Sequence, residues 1–358
     1  MNKNKKQFNK TLTIGIPVRN EEKILPYFLY SLIVAIKELS DSIETEIIIC
    51  VNGSTDTSLA IVQKFKKHFN NHNIQILRSP QGKMQAQQHI IRSAKFNGPI
   101  AFLDADTILD KKCLKELWNT LNKNKELQVA FAKVRPMCGN KFGLEWLQQV
   151  YYKRDDDVRT PRRYIHGRAY IIRSSRFFII NDLQNRIARA KQKNMYRTQY
   201  LDLEKGPQVD DIYLSRLLVH RFGISSIQEV QKAVVFFVSP RTIKDCYEEQ
   251  KRFFIEIERN DLLFPEYIYT QNSYFARKLL WNKFKELGLS STIHYFLYLP
   301  FVIWYKKLAK FRLFIGRKTK IGYGKFWLPL SSTKNIGKEK QKNNRCFNPR
   351  FLFLYFLY

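Results

Sequence analysis

Residues 100–106 read IAFLDAD, a run of four apolar residues that ends in two aspartates separated by one alanine. Such a run is typical of a buried strand, and the acids mark its end. Working outward, strands are predicted at 12–17, 46–51, 74–78, 99–103 and 128–134, and helices at 21–39, 55–69, 84–96 and 111–123. This alternation predicts an α/β fold with a mostly parallel central sheet and flanking helices.

Polar residues follow each of the first four predicted strands. They are Pro17, Arg19, Asn20 and Glu21 after the first, Asn52 and Gly53 after the second, Lys83 after the third, and Asp104 and Asp106 after the fourth. A parallel sheet binds ligands at the carboxyl ends of its strands, so we expect these residues at one edge. Two carboxylates one residue apart can hold Mg²⁺ or Mn²⁺ and leave coordination positions for a diphosphate. The pattern therefore predicts a site for a phosphate and a metal.

A second acidic run, at 155–157, shows how weak the two-aspartate signal is by itself, since so short a motif also arises by chance. The apolar strand directly before Asp104 distinguishes the first pair. We therefore expect a metal site at Asp104 and Asp106, and a solvated turn at 155–157.

Five motifs then occur in a fixed order. They read IGIPVRNEE at 14–22, VNGSTD at 51–56, GKMQA at 82–86, FLDAD at 102–106 and VDDIYLS at 209–215. This set, over roughly residues 11–255, resembles family-2 glycosyltransferases, which are inverting enzymes that use nucleotide-diphospho-sugars on a GT-A fold.

The resemblance implies a role for each strand end. The segment 17–21 and the turn at Asn52 would contact the base and ribose of the donor. Lys83 would reach the nucleotide, Asp104 the ribose or diphosphate, and Asp106 the metal. Val51 stands where the family often carries an acid that contacts the base, so the preference for a UDP-sugar rests on the resemblance alone.

An inverting displacement needs a carboxylate that takes the proton of the acceptor hydroxyl. By the resemblance, Asp211 is the candidate base, and Asp210 stands where the family usually has Glu. The alternative is that both acids only favour the start of a helix.

Two further segments resemble the acceptor side of the family or its motifs. The first segment contains His166, Gly167 and Arg168, and the resemblance implies that they contact the acceptor or the diphosphate. Arg252 belongs to the second, EQKRF at 249–253, which differs from the Gln-x-x-Arg-Trp of polymerising members. The difference favours transfer of one or a few sugars.

The chain of 358 residues carries 62 Lys and Arg against 31 Asp and Glu, a net charge of +31. Such a surface attracts polyanions. The hydrophobic content of 44% excludes a disordered tail protein, and the five scattered cysteines argue against a disulfide scaffold or structural zinc. The first residues show no cleavage pattern of a signal peptide.

The charge is concentrated after the apolar run 292–305, because residues 306–345 hold thirteen Lys or Arg and one acid, Glu339. This run is short of the roughly 20 residues that cross a bilayer. It has the aromatic and basic character of a segment that lies on an anionic membrane, although a buried helix beside a solvated tail is the alternative.

The predicted organisation is a basic segment 1–10, a GT-A catalytic domain 11–260, a membrane-associating helical region 261–345 and an apolar tail 346–358. Within the catalytic domain, 11–134 would bind the nucleotide sugar and 135–260 the acceptor. The acceptor would be lipid-linked or a polysaccharide, and the enzyme would be cytoplasmic, peripheral or monotopic on the cytoplasmic face of a membrane.

Two other function classes fit parts of the sequence less well. A phosphatase of the haloacid dehalogenase type would use Asp104 as nucleophile, but its motif belongs on the first strand. A basic nucleic-acid-binding protein would explain the charge, but the acids at the strand ends repel phosphate when no metal is present. We therefore expect no nucleic acid partner.

Overall fold

A computed structural model describes residues 10–137, 144–193, 201, 203–240, 242–270, 275 and 277–319. They form two compact units. Unit 1 contains the described residues up to Lys133, together with Ile165–Ile179 and Ser225–Val235, and unit 2 contains the rest. Residues 1–9, the basic stretch 320–345 and the apolar tail 346–358 lie outside the described residues. The predicted functional halves, 11–134 and 135–260, stay predictions.

An eight-stranded sheet forms the centre of unit 1, and only the last residues of β6 and β8 belong to unit 2. The strands are β1 (Thr11–Val18), β2 (Glu44–Asn52), β3 (Asn73–Ser79), β4 (Ile100–Leu103), β5 (Thr107–Leu109), β6 (Val129–Pro136), β7 (Ala169–Ile172) and β8 (Ile227–Phe237). Their order is β3-β2-β1-β4-β7-β6-β8-β5. The five predicted strands are all present, and the α/β class with the GT-A arrangement is confirmed.

Parallel pairing is confined to one half of the sheet in the register that the structure describes. β1 pairs in parallel with β2 and β4, and β2 with β3, whereas β7 runs antiparallel to β4 and β6. The described register is therefore mostly parallel, as predicted, and β7 contributes the two antiparallel pairings. β7 was not predicted, because it lies in a strongly basic stretch without a regular alternation of strand and helix patterns.

Four helices flank the sheet of unit 1. They are α1 (Leu25–Lys37), α2 (Ser58–His68), α3 (Lys83–Ser93) and α4 (Cys113–Lys123). In α1, Leu25, Phe28, Leu32 and Ala35 recur at helical spacing and are buried, so this face covers the sheet. β1 and β2 are buried along almost their whole length, as expected for central strands covered on both faces.

Unit 2 is mostly helical. Its helices are α5 (Leu144–Asp157), α6 (Leu183–Lys193), α7 (Asp210–Phe222), α8 (Ile243–Leu263), α9 (Lys283–Leu287) and α10 (Leu289–Thr319). A tyrosine-rich core joins α10 to α5 and α8, and its buried members are Tyr151, Val158, Cys246, Tyr295, Tyr298, Val302 and Tyr305. None of the helices in the described ranges combines the length and apolarity that crossing a bilayer requires.

The acidic run 155–157 lies at the end of α5 and is held by arginines. Asp155 is 2.5 Å from Arg159, Asp156 lies 2.7 Å from Arg162 and 3.0 Å from Arg277, and Asp157 lies 3.0 Å from Arg135. The run is therefore an ion-paired helix end, which corrects the prediction of a solvated turn. The described cysteines, Cys50, Cys113 and Cys246, are buried free thiols.

Candidate functional site

The loops that follow β1 and β2 are joined by hydrogen bonds. Asn20 N donates to Ser54 Oγ (3.2 Å), Glu21 N to Ser58 Oγ (2.9 Å), Glu22 N to Asp56 Oδ2 (3.0 Å), and Thr55 N to Asn20 Oδ1 (2.8 Å). Asn20 has φ of +54°, a left-handed conformation that asparagine tolerates better than most residues. The two loops predicted to contact the base and ribose are therefore one connected structure, and the side chain of Asn20 helps to hold it.

Pro17 and Arg19 flank this structure on the β1 side. Pro17 is buried near the end of β1, opposite Cys50 of β2. The Arg19 side chain is half-buried, and this burial lowers the pKa of its guanidinium.

The turn after β2 depends on Gly53, which has φ of +66°. A Cβ at this position would lie 3.2 Å from the backbone N of Gln81. We expect Gly53→Ala to lower the free energy of unfolding by about 1–3 kcal/mol, because it combines left-handed strain with a close backbone contact. Chemical denaturation followed by circular dichroism measures the change.

Gly223 provides the matched control for this substitution. Its φ is +78°, and a Cβ there would meet no atom within 4 Å. Gly223→Ala therefore carries the backbone strain alone. A loss for Gly53→Ala no larger than that for the control would contradict the tight contact between the two turns.

Asn52 links the turn after β2 to the start of α3. Its Nδ2 donates to Gly82 O at 3.3 Å, and the side chain is buried. Its Oδ1 has no hydrogen-bond partner among the described residues. A buried amide oxygen without a donor is costly, so this atom is available to a donor group of a ligand.

Lys83 is the first residue of α3 and lies between two other strand ends. Its Nζ is 2.7 Å from Asp104 Oδ1 and donates to Gly167 O at 3.1 Å. The backbone of Asp104 is held in turn, since its N donates to Arg168 O at 2.8 Å. The antiparallel β7 therefore brings the segment 166–168 beside the two aspartates.

Asp106 has its own cationic neighbour. Arg168 Nη1 donates to Asp106 Oδ1 at 3.3 Å. The carboxylates of Asp104 and Asp106 are 26% and 34% exposed, so both remain accessible to a ligand. Two acidic and two positively charged side chains therefore lie together, paired, where β3 and β4 end and β7 begins.

The two aspartates fit a divalent cation that is shared with a substrate. Within the described ranges, no group of three or more His, Cys, Asp or Glu side chains could enclose a metal. Mg²⁺ is nevertheless often bound through one or two carboxylates, with substrate phosphates and waters as the other ligands. A pair of partly exposed carboxylates matches that donor set.

His166 is half-buried and precedes the carbonyl that receives Lys83. Behind it, Gln87 Nε2 of α3 donates to the hydroxyl of Tyr170 in β7 at 3.0 Å, and both side chains are buried. This bond fixes α3 against β7, which positions Lys83 and Gly167 relative to each other.

The predicted catalytic acids lie in unit 2, at the beginning of α7. Asp210 is completely buried, whereas Asp211 is half-buried. Both occupy the first turn, where negative charge is favoured by the helix dipole. Of the two, Asp211 is the one that solvent or a substrate can reach.

A buried network on α8 holds the segment before these acids. Glu256 Oε1 accepts from Gln208 N at 2.8 Å and from Val209 N at 3.3 Å. Glu256 also forms a buried ion pair with Arg259, whose Nε donates to Leu201 O at 2.9 Å. This role was not predictable, because nothing in the spacing of α8 distinguishes Glu256 from the other acids of the helix.

The site of unit 1 lies in a part of the chain that matches a known protein family. The model of glycosyl transferase family 2 matches residues 13–183. These residues form a family-2 glycosyltransferase domain. The chain is therefore an enzyme of the glycosyltransferase type rather than a phosphatase or a non-catalytic binding protein. No curated protein matches the sequence.

Several solved glycosyltransferase structures are similar to the chain. The first 349 residues of S. aureus TarS in complex with UDP are 16% identical, with a TM-score of 0.41 over 74% of this chain and 72% of that one. The mannosyltransferase PcManGT from Pyrobaculum calidifontis, in complex with GDP-Man and Mn²⁺, is 13% identical, with a TM-score of 0.46 over 98% and 86%. Glucosyl-3-phosphoglycerate synthase from Mycobacterium tuberculosis, in complex with Mg²⁺ and UDP, is 15% identical, with a TM-score of 0.41 over 70% and 79%. Similarity this remote identifies no ligand for this chain.

Within the glycosyltransferase, Arg252 lies on α8 in unit 2. Burial lowers the pKa of its guanidinium, while the nearby acids Glu249, Glu248 and Asp245 act in the opposite direction. The next residue, Phe253, is exposed.

In unit 1, the structure brings five of the predicted site residues together. Lys83, Asp104, Asp106, Gly167 and Arg168 are in direct contact through ion pairs and hydrogen bonds. Asp210, Asp211 and Arg252 belong to unit 2. The pairing of Arg168 with Asp106 was missed, because β7 was not predicted.

We expect Glu256→Ala to lower the free energy of unfolding of the glycosyltransferase by about 3 kcal/mol, because it leaves Arg259 buried without its acid. Glu286→Ala is the control, since Glu286 forms an exposed pair with Lys283 at 2.8 Å, worth about 1 kcal/mol at most. Chemical denaturation measures both. Equal losses would show that the buried network does not hold the segment before α7.

Proposed function

We propose that this glycosyltransferase moves a sugar, with inversion, from a nucleoside-diphospho-sugar to a lipid-linked or polysaccharide acceptor at a membrane surface. A UDP-sugar is the proposed donor, and Mg²⁺ or Mn²⁺ the proposed cofactor. The observation that carries the proposal is the pairing of Lys83 with Asp104 and of Arg168 with Asp106 at the strand ends.

The donor would lie along these strand ends. The joined loops after β1 and β2 would contact the base and ribose through Pro17, Arg19, Asn20, Glu21, Asn52 and Gly53. The buried Asn52 Oδ1 would accept a hydrogen bond from the nucleotide, which satisfies an atom that has no partner among the described residues.

The diphosphate would lie beside Lys83 and Arg168. Negative charge grows on this leaving group as the bond to the sugar breaks, and fixed cations stabilise that charge most in the transition state. Both side chains are held in place by the aspartates before a donor arrives. Asp104 and Asp106 would hold the divalent cation, which would supply further charge stabilisation to the diphosphate.

Asp211 would act as the general base. In the single displacement, the acceptor oxygen forms a bond to the anomeric carbon while the bond from that carbon to the phosphate oxygen breaks. The hydroxyl proton of the acceptor passes to the carboxylate of Asp211. Asp210 is buried and would support the backbone of the same turn.

The acceptor would be contacted by residues that the resemblance assigns to that side. By the resemblance, contact with the acceptor or the diphosphate is proposed for His166, Gly167, Arg168 and Arg252. The proposed location is the cytoplasmic face of a membrane, with peripheral or monotopic attachment.

Turnover of a panel of sugar nucleotides tests the proposal. We expect release of one nucleoside diphosphate, dependent on Mg²⁺ or Mn²⁺, and a product whose anomeric configuration by NMR is opposite to that of the donor. A product with retained configuration would contradict the base assignment. No release from any donor by the full chain would contradict the proposed function.

A further inference from the structure

The long helix α10 has two apolar faces, and the described residues cover only one of them. One face packs on α5 and α8 through Tyr295, Tyr298 and Tyr305, which are buried. The opposite face, here called the outer face, is exposed and consists of Ile293, Phe296, Leu297, Phe301, Trp304, Leu308 and Phe311. Trp304 is 52% exposed and Phe311 59%. Exposed apolar surface of this extent marks an interaction site.

The two sequence hypotheses for the run 292–305 therefore each describe one side of the same helix. The buried tyrosines belong to a core, as the alternative hypothesis required. The outer face has the aromatic composition expected of a membrane segment. A truncation that removed α10 would also remove part of this core. Substitutions on the outer face therefore test membrane binding without that loss.

The charge around the outer face has a single sign. α10 contains no Asp or Glu, and it carries Lys306, Lys307, Lys310 and Arg312, all exposed. Lys307 lies among the outer-face residues, and Lys310 and Arg312 lie on opposite flanks, as the helical spacing requires. Long basic side chains can extend from an apolar surface toward a polar layer.

The apolar surface continues at the N-terminal end of α10. Trp281 is 67% exposed, and its ring lies 5.6 Å from that of Phe284 in α9. The Phe284 ring in turn stacks on Phe296 of the outer face at 5.4 Å. Aromatic side chains with polar edges, such as Trp, favour the interface of a bilayer.

We propose that the outer face of α10 docks flat on an anionic bilayer, with its apolar side chains at the level of the headgroups and acyl boundary. A 31-residue helix is about 46 Å long, so the face covers several lipids. Apolar residues on one side and Lys or Arg at the flanks are the pattern of an interfacial helix. Basic groups and anionic headgroups then attract each other across the surface.

This inference rests on the proposed action of the enzyme at a membrane, but it can be tested without any activity. The full chain is sedimented with vesicles of phosphatidylcholine alone and of phosphatidylcholine mixed with phosphatidylglycerol. We expect binding to the mixed vesicles, weakened by salt, and little binding to the neutral ones. If the protein turns over its donor but does not bind the mixed vesicles, the docking surface is contradicted and the glycosyltransferase function is not.

Substitutions identify the face that binds. We expect the double variant Trp304→Glu with Phe311→Glu to bind mixed vesicles about 100-fold more weakly, since two large apolar groups leave the interface and two negative charges enter it. Ile179→Glu is the matched control, because Ile179 is also 59% exposed but lies in unit 1. Binding of the double variant equal to that of the control would overturn the proposal.

Fluorescence provides a readout that does not depend on a destabilising change. With brominated lipids in the mixed vesicles, we expect quenching in the wild type, and much weaker quenching at unchanged binding when Trp281→Phe and Trp304→Phe are combined in one variant, because both side chains are exposed on this surface. Unchanged quenching in this variant would overturn the proposal. So would a wild type that fails to bind vesicles but forms a dimer lost in the double variant, because the outer face would then be covered by a second copy.

Discussion

Asp211→Asn is expected to reduce the turnover number of the glycosyltransferase by about 1,000-fold and to leave donor affinity nearly unchanged. A general base contributes roughly 100- to 10,000-fold to such a step, and an amide cannot take the proton. The substitution keeps the size of the side chain at the first turn of α7, so the fold should persist. Steady-state kinetics and calorimetric titration of the donor nucleotide measure the two effects separately.

Arg221→Gln is the control for this prediction. Arg221 is exposed in the last turn of the same helix, so the variant also changes one charge on α7. We expect it to keep the activity of the wild type. Full turnover in Asp211→Asn would contradict the base assignment, and loss of donor binding in that variant would show that Asp211 serves the donor instead.

Lys83→Met is expected to reduce the turnover number by 100- to 1,000-fold and to weaken binding of the donor nucleotide. The charge of Lys83 would stabilise the leaving diphosphate, and removing one such group typically costs this much. The substitution also takes away the partner that lies 2.7 Å from Asp104, so an unbalanced acid would face the phosphates. Turnover and calorimetric affinity are the readouts.

Arg92→Gln is the matched change on α3, since Arg92 is exposed in the last turn of that helix. It should leave both quantities near those of the wild type. Lys83→Arg should recover part of the activity, because it restores the positive charge. If Lys83→Met retained full activity, the contact with Asp104 would be structural only.

The first half of the fold was predictable from the sequence for a physical reason. Strands buried on both faces, such as β1 and β2, are continuous apolar runs, and the helices between them carry one apolar stripe. Parallel strands end at one edge, so the polar residues after them had to meet there. This reasoning brought Lys83 and Asp104 to the same site.

The later part of the site was not predictable in this way. β7 is four residues long and antiparallel, and it brings Arg168 to Asp106 through pairing across distant parts of the chain. Glu256 acts through backbone groups of Gln208 and Val209, which leave no mark in a sequence pattern. The covered face of α10 likewise depends on its packing against α5 and α8.

Calorimetric titration of the wild type with UDP, GDP, CDP and dTDP, each with and without Mn²⁺, tests the central claim most directly. Asp106→Asn is titrated in parallel, with the exposed Asp41→Asn as its control. We predict that one nucleotide binds in a Mn²⁺-dependent way, that Asp106→Asn weakens this binding at least tenfold, and that Asp41→Asn does not. Absence of binding for all four nucleotides, or equal binding by Asp106→Asn, would contradict a donor site at these strand ends.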